Sequence, residues 1–456
     1  MARRWRRWRP EPVAPIRVSA PDTAFDGAPA PLGLPITREL ARLTLDGVST
    51  VVAVTRPDAP GKWTAAVFAH GAGTGNHTAF DEHAAALASD GIVCLVPDKD
   101  LAAYSATRRD YRHMAAQYAD LARWARRQPW ADEARVGFYG ESEGAWVAPW
   151  AATMTGAAFA VLVSAPVVTP RQQTAYAVGT YLSSVGAPES VLDAGARLAG
   201  ATWPKGMFSY ADFDVTRHLG RLRCPVLVAY GTEDISMPVV QGAERVLALA
   251  PGPVAVRYYA AADHGLRRGE DKHVSRQFLL DLGAWLRCFS VTPRVAGAAP
   301  TQPFAASSPP GGVALATEGY LGAAGLVALA AAGLGARAAP AEVRLPLTLL
   351  RAGAVTTILA QASYLRTLVT LATNYRTDPG AVAWGHRGVR LLGLATVCAG
   401  SIVAVRFRQS LSRSRKAAAA SAVGLGGAAV LLSLAARLGA FGRLRLRRGR
   451  RGVGEP

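Results

Sequence analysis

Cysteine is scarce in this 456-residue chain. Its four copies, Cys94, Cys224, Cys288 and Cys398, stand far apart and form no C-x-x-C pair. Neither a disulfide framework nor a zinc site is indicated, and a reducing compartment suits them. No metal or organic cofactor is expected. Phosphate-cradling patterns are missing as well: the glycine-rich turn His70–His77 is not followed by Gly-x-Gly-x-x-Gly or Gly-Lys-Ser/Thr. The opening run Met1–Arg9 has no apolar segment behind it, so it does not read as an export signal, and the first domain is expected in the cytoplasm. Acidic residues are short too, 32 against 51 basic ones, for a net charge of +19. That charge is unevenly placed. Five arginines fall in the first nine residues and about sixteen net positive charges lie beyond Phe289, leaving the middle near neutral. A central nucleic-acid patch is thereby excluded, and basic ends flanking apolar segments fit an anionic bilayer as partner.

The length calls for two or more domains. Residues 1–35 read as a basic, Pro-rich lead-in. Residues 36–289 alternate strands and helices. Two β-branched runs around Arg38–Leu45 and Val48–Thr55 flank Asp46-Gly47, a strong hairpin signal. Buried strands follow at Ala65–Ala69, Ile92–Val96, Arg135–Tyr139, Phe159–Ser164, Pro225–Ala229 and Val254–Tyr259. Helices are expected over Phe80–Ser89, Arg108–Arg127 and Val274–Arg287. The pattern predicts an α/β fold, a mostly parallel sheet covered on both faces. Alternation lapses over 169–221, which reads as a small helical cap above the C-terminal sheet edge, where ligands bind in open α/β folds.

The chemistry gathers around Gly140-Glu141-Ser142-Glu143-Gly144, between a strand and a helix start. A serine on so sharp a turn needs small neighbours, and the glycines leave the Oγ of Ser142 exposed. A serine hydroxyl needs a base, and the base an orienting acid. Asp234, in Gly231–Pro238, follows one late strand. His264, in Ala262–Gly265, follows the next. Glu233 and Asp263 are the rival acids, and Asp234 is preferred. His70, at a strand end, reads as bonding loop backbone; His77, His83, His113, His218, His273 and His386 read as surface or capping residues. The developing oxyanion needs N–H donors, expected from Glu143 at a helix start and Ala72 in the glycine-rich turn.

Together, His70-Gly71-Ala72-Gly73, Gly140–Gly144, Gly231…Asp234…Pro238 and Asp263-His264-Gly265 resemble the α/β-hydrolase family, over roughly residues 36–288. The His-Gly-Ala-Gly turn and the strand from Cys224 are most similar to its monoacylglycerol lipase, serine aminopeptidase and dienelactone hydrolase branches. A dienelactone hydrolase proper would carry cysteine as nucleophile; Ser142 departs from that. The resemblance implies a serine hydrolase cleaving a small-molecule ester or amide through an acyl-enzyme. Acyl transfer to an alcohol or amine, and a non-catalytic sensing or scaffold domain, stay open beside it. Glu143 departs from the uncharged residue usual there, and either bonds solvent or a nearby arginine or selects a cationic substrate.

Residues 290–312 read as a Pro/Ala/Ser linker. Beyond it, four apolar stretches near 313–336, 345–372, 389–405 and 417–440 predict an α-helical transmembrane bundle over 313–440, ahead of a basic tail, 441–456. A soluble Ala-rich helical bundle is the competing reading. With four spans the first domain and the tail share the cytoplasmic side, although the basic loop 406–416 then faces outward, against the positive-inside rule.

Overall fold

The computed structural model describes residues 11–73, 75–102, 104–187, 192, 207–308, 341–373 and 378–406. The chain forms two compact units. One holds the described parts of Pro10–Ala177 and Pro204–Ser307; the other holds those of Val178–Trp203 and of the chain from Ser308 onward.

The first unit is built on a nine-stranded sheet. Strands β1 (Ile36–Leu45) and β2 (Val48–Pro57) form the expected hairpin, with Leu45 opposite Val48. Asp46 and Gly47 both take positive φ, 45° and 79°, as the two-residue turn with the sheet's own twist requires. β2 runs antiparallel to β4 (Ile92–Pro97). From there β3 (Trp63–Ala69), β5 (Ala131–Glu141), β6 (Ala160–Val163), β7 (Val226–Gly231) and β8 (Val254–Tyr259) are parallel. The spatial order is β1-β2-β4-β3-β5-β6-β7-β8, then a short strand from Val295 to Gly297.

Strands β4, β6, β7 and β8 are buried at every position, because both faces of the sheet are covered. Alternation splits neighbouring residues between two cores. Val67 packs with helices α2 (Tyr111–Arg126) and α3 (Gly144–Thr155), and Phe68 packs with α1 (Asp81–Ser89) on the other face. α2 starts where it does because the Asp110 carboxylate accepts from the Arg112 and His113 amides. The cap region contributes α4 (Pro170–Ser184) and the single turn α5 (Thr216–Leu219), with most of the stretch between them outside the described residues. Helix α6 (Val239–Leu249) follows β7. After β8 a two-stranded ribbon, β9 (Arg267–Arg268) with β10 (His273–Val274), leads into α7 (Arg276–Cys288).

The expected linker differs from expectation. Val295–Gly297 is a true strand, β11, parallel to β8, and its outer edge bonds the lead-in through Ser19 and Ala20. Gln302 then accepts the Val240 and Gln241 amides at the start of α6. The sheet unit therefore runs on to Ser307 rather than ending at 289.

In the second unit two long helices, α8 (Ala341–Thr373) and α9 (Pro379–Arg406), pack on each other and on the second half of α4. Tyr181, Leu182 and Val185 share a core there with Tyr364, Leu368, Val382 and Val389. Of the four expected spans, those near 313–336 and 417–440 lie outside the described residues. Among the described residues, one stretch, Arg344–Leu368 with mean hydropathy 1.3, is long and apolar enough to cross a membrane. The stretch 389–405 forms the latter part of α9, whose first turns carry Arg387 and Arg390.

Candidate active site

Ser142 sits between the last residue of β5 and the N-terminus of α3 with φ 55°, a left-handed value that side chains rarely take. Its amide donates to the Val163 carbonyl and its carbonyl accepts from Ala145, which closes the turn. A Cβ on Gly140 would crowd Ala148, and one on Gly144 would run into the Ala69 carbonyl. Both glycines are required by close approach, as the sequence pattern implied.

Asp234 and His264 are brought together. Asp234, buried in the loop after β7, lies 2.8 Å from His264 Nδ1 through its Oδ2. Burial alone would raise the Asp234 carboxyl, but His264 and the Ser236 hydroxyl and amide outweigh it and hold it below its ordinary value. The ionised carboxylate can only accept, so Nδ1 carries the proton, and in the neutral ring Nε2 holds the lone pair that a general base needs. Burial lowers the basicity of His264, yet Asp234, followed by Glu141 and Asp263, more than offsets this and holds the imidazole up at about 8. The ring remains 22% exposed, enough to meet a substrate.

Backbone and hydroxyl bonds at neighbouring strand ends link the Ser142 turn to this pair. Its amide is bonded to Val163, and the next residue, Ser164, donates its hydroxyl to the His264 carbonyl at 2.6 Å and its amide to Ala229. Ser236 gives its hydroxyl to Asp234 Oδ1 at 2.7 Å and lies 3.2 Å from His264 Nδ1. Neither Ser164 nor Ser236 was expected from sequence. Ser236 was findable: Asp-x-Ser after a strand is an Asx turn, and Asp234 does accept the Ser236 amide. The rival acids are elsewhere. Asp263 caps its own loop by accepting the Gly265 and Arg267 amides and pairs with Lys272, while Glu233 is exposed.

Ala72 lies in the turn after β3, and Glu143 caps α3. Neither amide has an acceptor among the described residues. The Glu143 side chain is not turned to solvent: it is 1% exposed. Its Oε2 accepts from Lys99 Nζ (2.8 Å) and Tyr104 (2.6 Å), and its Oε1 from Arg109 (2.6 Å) and Tyr111 (3.2 Å). Burial, then the carboxylate's charge, pushes both tyrosine hydroxyls up, so they stay donors. With four donors on it, the carboxylate has no lone pair for a substrate cation. The cation-selecting reading of Glu143 is thereby corrected.

His70 is buried, and its Nε2 bonds the Pro97 carbonyl at 2.6 Å, in line with a backbone-supporting role. His77 and His113 pair with Asp98 and with Asp46 and Asp100. His83 and His386 are buried rather than at the surface, and His218 is half-buried. His83 lies among Phe80, Tyr139 and Phe278; His218 stacks on Trp150; His386 is 1% exposed within α9.

The strand order, the strained elbow and the acid–histidine pair are similar to the arrangement of α/β-hydrolases. Residues 78–287 match the family model described as the prolyl oligopeptidase family, a span that includes Ser142, Asp234 and His264. This match supports a hydrolase of serine type. No curated protein matches the sequence. Among solved structures, 2,6-dihydroxy-pseudo-oxynicotine hydrolase is 17% identical, with 58% of this chain and 71% of that one covered at a TM-score of 0.40. An esterase of Pyrobaculum calidifontis is 18% identical (56% and 85% covered, TM-score 0.42). A dienelactone hydrolase from Anabaena variabilis is 16% identical (56% and 97% covered, TM-score 0.38). Likenesses this loose carry no weight beside the site and the family match.

Proposed function

We propose that the chain is a membrane-tethered serine hydrolase that cleaves an ester or amide of a small molecule through an acyl-enzyme on Ser142. In this reading His264 Nε2 takes the Ser142 proton as Oγ attacks the carbonyl. Asp234 holds the ring by Nδ1–H and stabilises the imidazolium, and the amides of Ala72 and Glu143 meet the oxyanion. The imidazolium then gives its proton to the leaving alcohol or amine, and water repeats the sequence to release the acid. The observation that carries this reading is the 2.8 Å Asp234–His264 bond, one strand end away from a serine strained to φ 55°. The test is hydrolysis of p-nitrophenyl butyrate. Ser142→Ala and His264→Ala are each expected to lower kcat by on the order of 10³-fold or more, while His113→Ala leaves it nearly unchanged. Equal losses from His264→Ala and His113→Ala would contradict the assignment.

The tether rests on apolar residues left exposed and polar residues buried on the same two helices. On α8 and α9, Leu345, Leu349, Leu359, Trp384, Leu391 and Ile402 are exposed, whereas Thr357, Gln361, His386 and Thr396 are buried. Thr357 and Thr396 lie 3.3 Å apart across the two helices, and Gly353 faces Thr396. Apolar side chains on the outside, with small and polar residues buried beside the apolar core of Tyr364, Leu368, Val382 and Val389, suit helices surrounded by lipid. The hydrolase unit is assigned to the cytoplasmic side.

A further inference from the structure

The buried cluster around Glu143 does more than hide a charge. Lys99 follows β4 by two residues, and its side chain is 3% exposed. Its ammonium has three hydrogens and three partners: Glu143 Oε2 at 2.8 Å, the Gly71 carbonyl at 2.9 Å, and the Tyr104 ring face 3.9 Å from the centroid. The first two are the informative ones. Gly71 C=O and Ala72 N–H belong to one peptide unit, and in a planar trans peptide the two point in opposite directions. An ammonium fixed on the Gly71 oxygen therefore fixes where the Ala72 hydrogen points. It also draws electron density toward that oxygen, which makes the Ala72 hydrogen a stronger donor. The same ammonium holds the side chain of Glu143, whose backbone amide is the other oxyanion donor. These two donors come from segments about seventy residues apart in sequence, and Lys99 donates to an acceptor oxygen in each.

Resting on the serine-hydrolase reading above, we infer that Lys99 is the positioning residue of the oxyanion hole, orienting the Gly71–Ala72 peptide and tying it to the nucleophile elbow through Glu143. Lys99 touches no reacting atom; it acts through the two amides. Arg109, Tyr104 and Tyr111 complete the carboxylate's shell, so Lys99 is not needed simply to satisfy Glu143: Arg109 alone supplies one positive charge to it.

The full chain tests this with p-nitrophenyl butyrate as substrate and an alkyl boronic acid as the tetrahedral analogue. Lys99→Met is expected to lower kcat by on the order of 10²-fold, the scale of one lost oxyanion donor, with KM within about threefold. The inhibition constant of the boronic acid should rise by a similar factor. Lys99→Arg, which can still donate to both oxygens, is expected to recover most of the loss. The double variant Lys99→Met with Glu143→Gln removes both charges of the pair; it should fold and stay slow, because the Gly71 carbonyl is still unheld. If the single variant fails to fold, the double variant decides. Wild-type kcat in Lys99→Met, or recovery of kcat in the double variant, would overturn the inference and leave Lys99 as a counter-ion for Glu143. If instead the wild-type chain shows no turnover dependent on Ser142, the serine-hydrolase reading fails first, and this result is distinguishable from a loss confined to Lys99.

Discussion

At the scale of single residues the site is governed by how charge is held without water. His264 is the clearest case. Its raised basicity means that the neutral form required of a base is in the minority below about pH 8. The sign follows directly: kcat/KM on a simple ester should rise with pH through about 8 and level off above it, a later rise than the ~6.5 of an unperturbed imidazole would give. Glu141 contributes to that displacement. Its carboxyl is itself raised by burial, which the His264 charge and the Tyr139 hydroxyl at 3.2 Å offset only in part. Glu141→Gln should therefore move the rising limb to lower pH without abolishing turnover. A profile unmoved by Glu141→Gln, or one centred near 6, would contradict the charge assignment around His264.

At the scale of elements, the elbow depends on how closely α3 approaches the end of β3. Gly144 begins α3 against the Ala69 carbonyl, with the His70 carbonyl 3.1 Å from where a Cβ would stand. Gly144→Ala must push α3 away from the sheet. A stability loss of about 1–3 kcal/mol is expected from such overpacking, read as a lower melting temperature, with a larger proportional loss of kcat because Ser142 and the Glu143 amide move together. Unchanged melting and kcat would show that the helix has room the structure does not give it. Elements of this kind were legible in the sequence because their causes are local: Asp-Gly makes a tight hairpin, and glycines at ±2 make a serine elbow. The closeness of Asp234 to His264 was legible because parallel strands deliver their ends to one edge. The Glu143 cluster was not, since it joins Lys99 and Arg109 to a residue 44 and 34 positions away, and no local pattern encodes those pairings. β11 was missed for a related reason. Three residues, Val-Ala-Gly, become a strand only because the β8 edge and the lead-in supply partners on either side. His83 was misread although periodicity could have placed it: it falls three residues after Phe80, on the inward face of α1.

At the scale of the molecule, the boundary between units decides what can be cut away. A chain ending after Phe289 loses β11 and the Pro293 carbonyl that Arg257, fully buried, bonds at 2.7 Å. One ending after Ser307 keeps both, along with Gln302 on α6. The longer form should melt higher, by roughly 5 °C or more for a few kcal/mol in a domain of this size. It should still associate unless Tyr181, Leu182 and Val185 are made polar, since their partners on α8 and α9 are gone. Equal melting of the two forms would place the boundary back near 289. The full chain is expected to stay in the membrane pellet after a carbonate wash; release into the supernatant would favour a soluble helical bundle over the tether.

Covalent labelling by a fluorophosphonate tests whether Ser142 is an activated nucleophile, without knowledge of the substrate. The full chain in detergent is treated with the reagent, digested, and the adduct located by mass spectrometry. A single phosphonylated serine, Ser142, is expected, with labelling lost in Ser142→Ala and strongly slowed in His264→Ala. Labelling that persists in Ser142→Ala, or no labelling of folded wild-type protein, would contradict it.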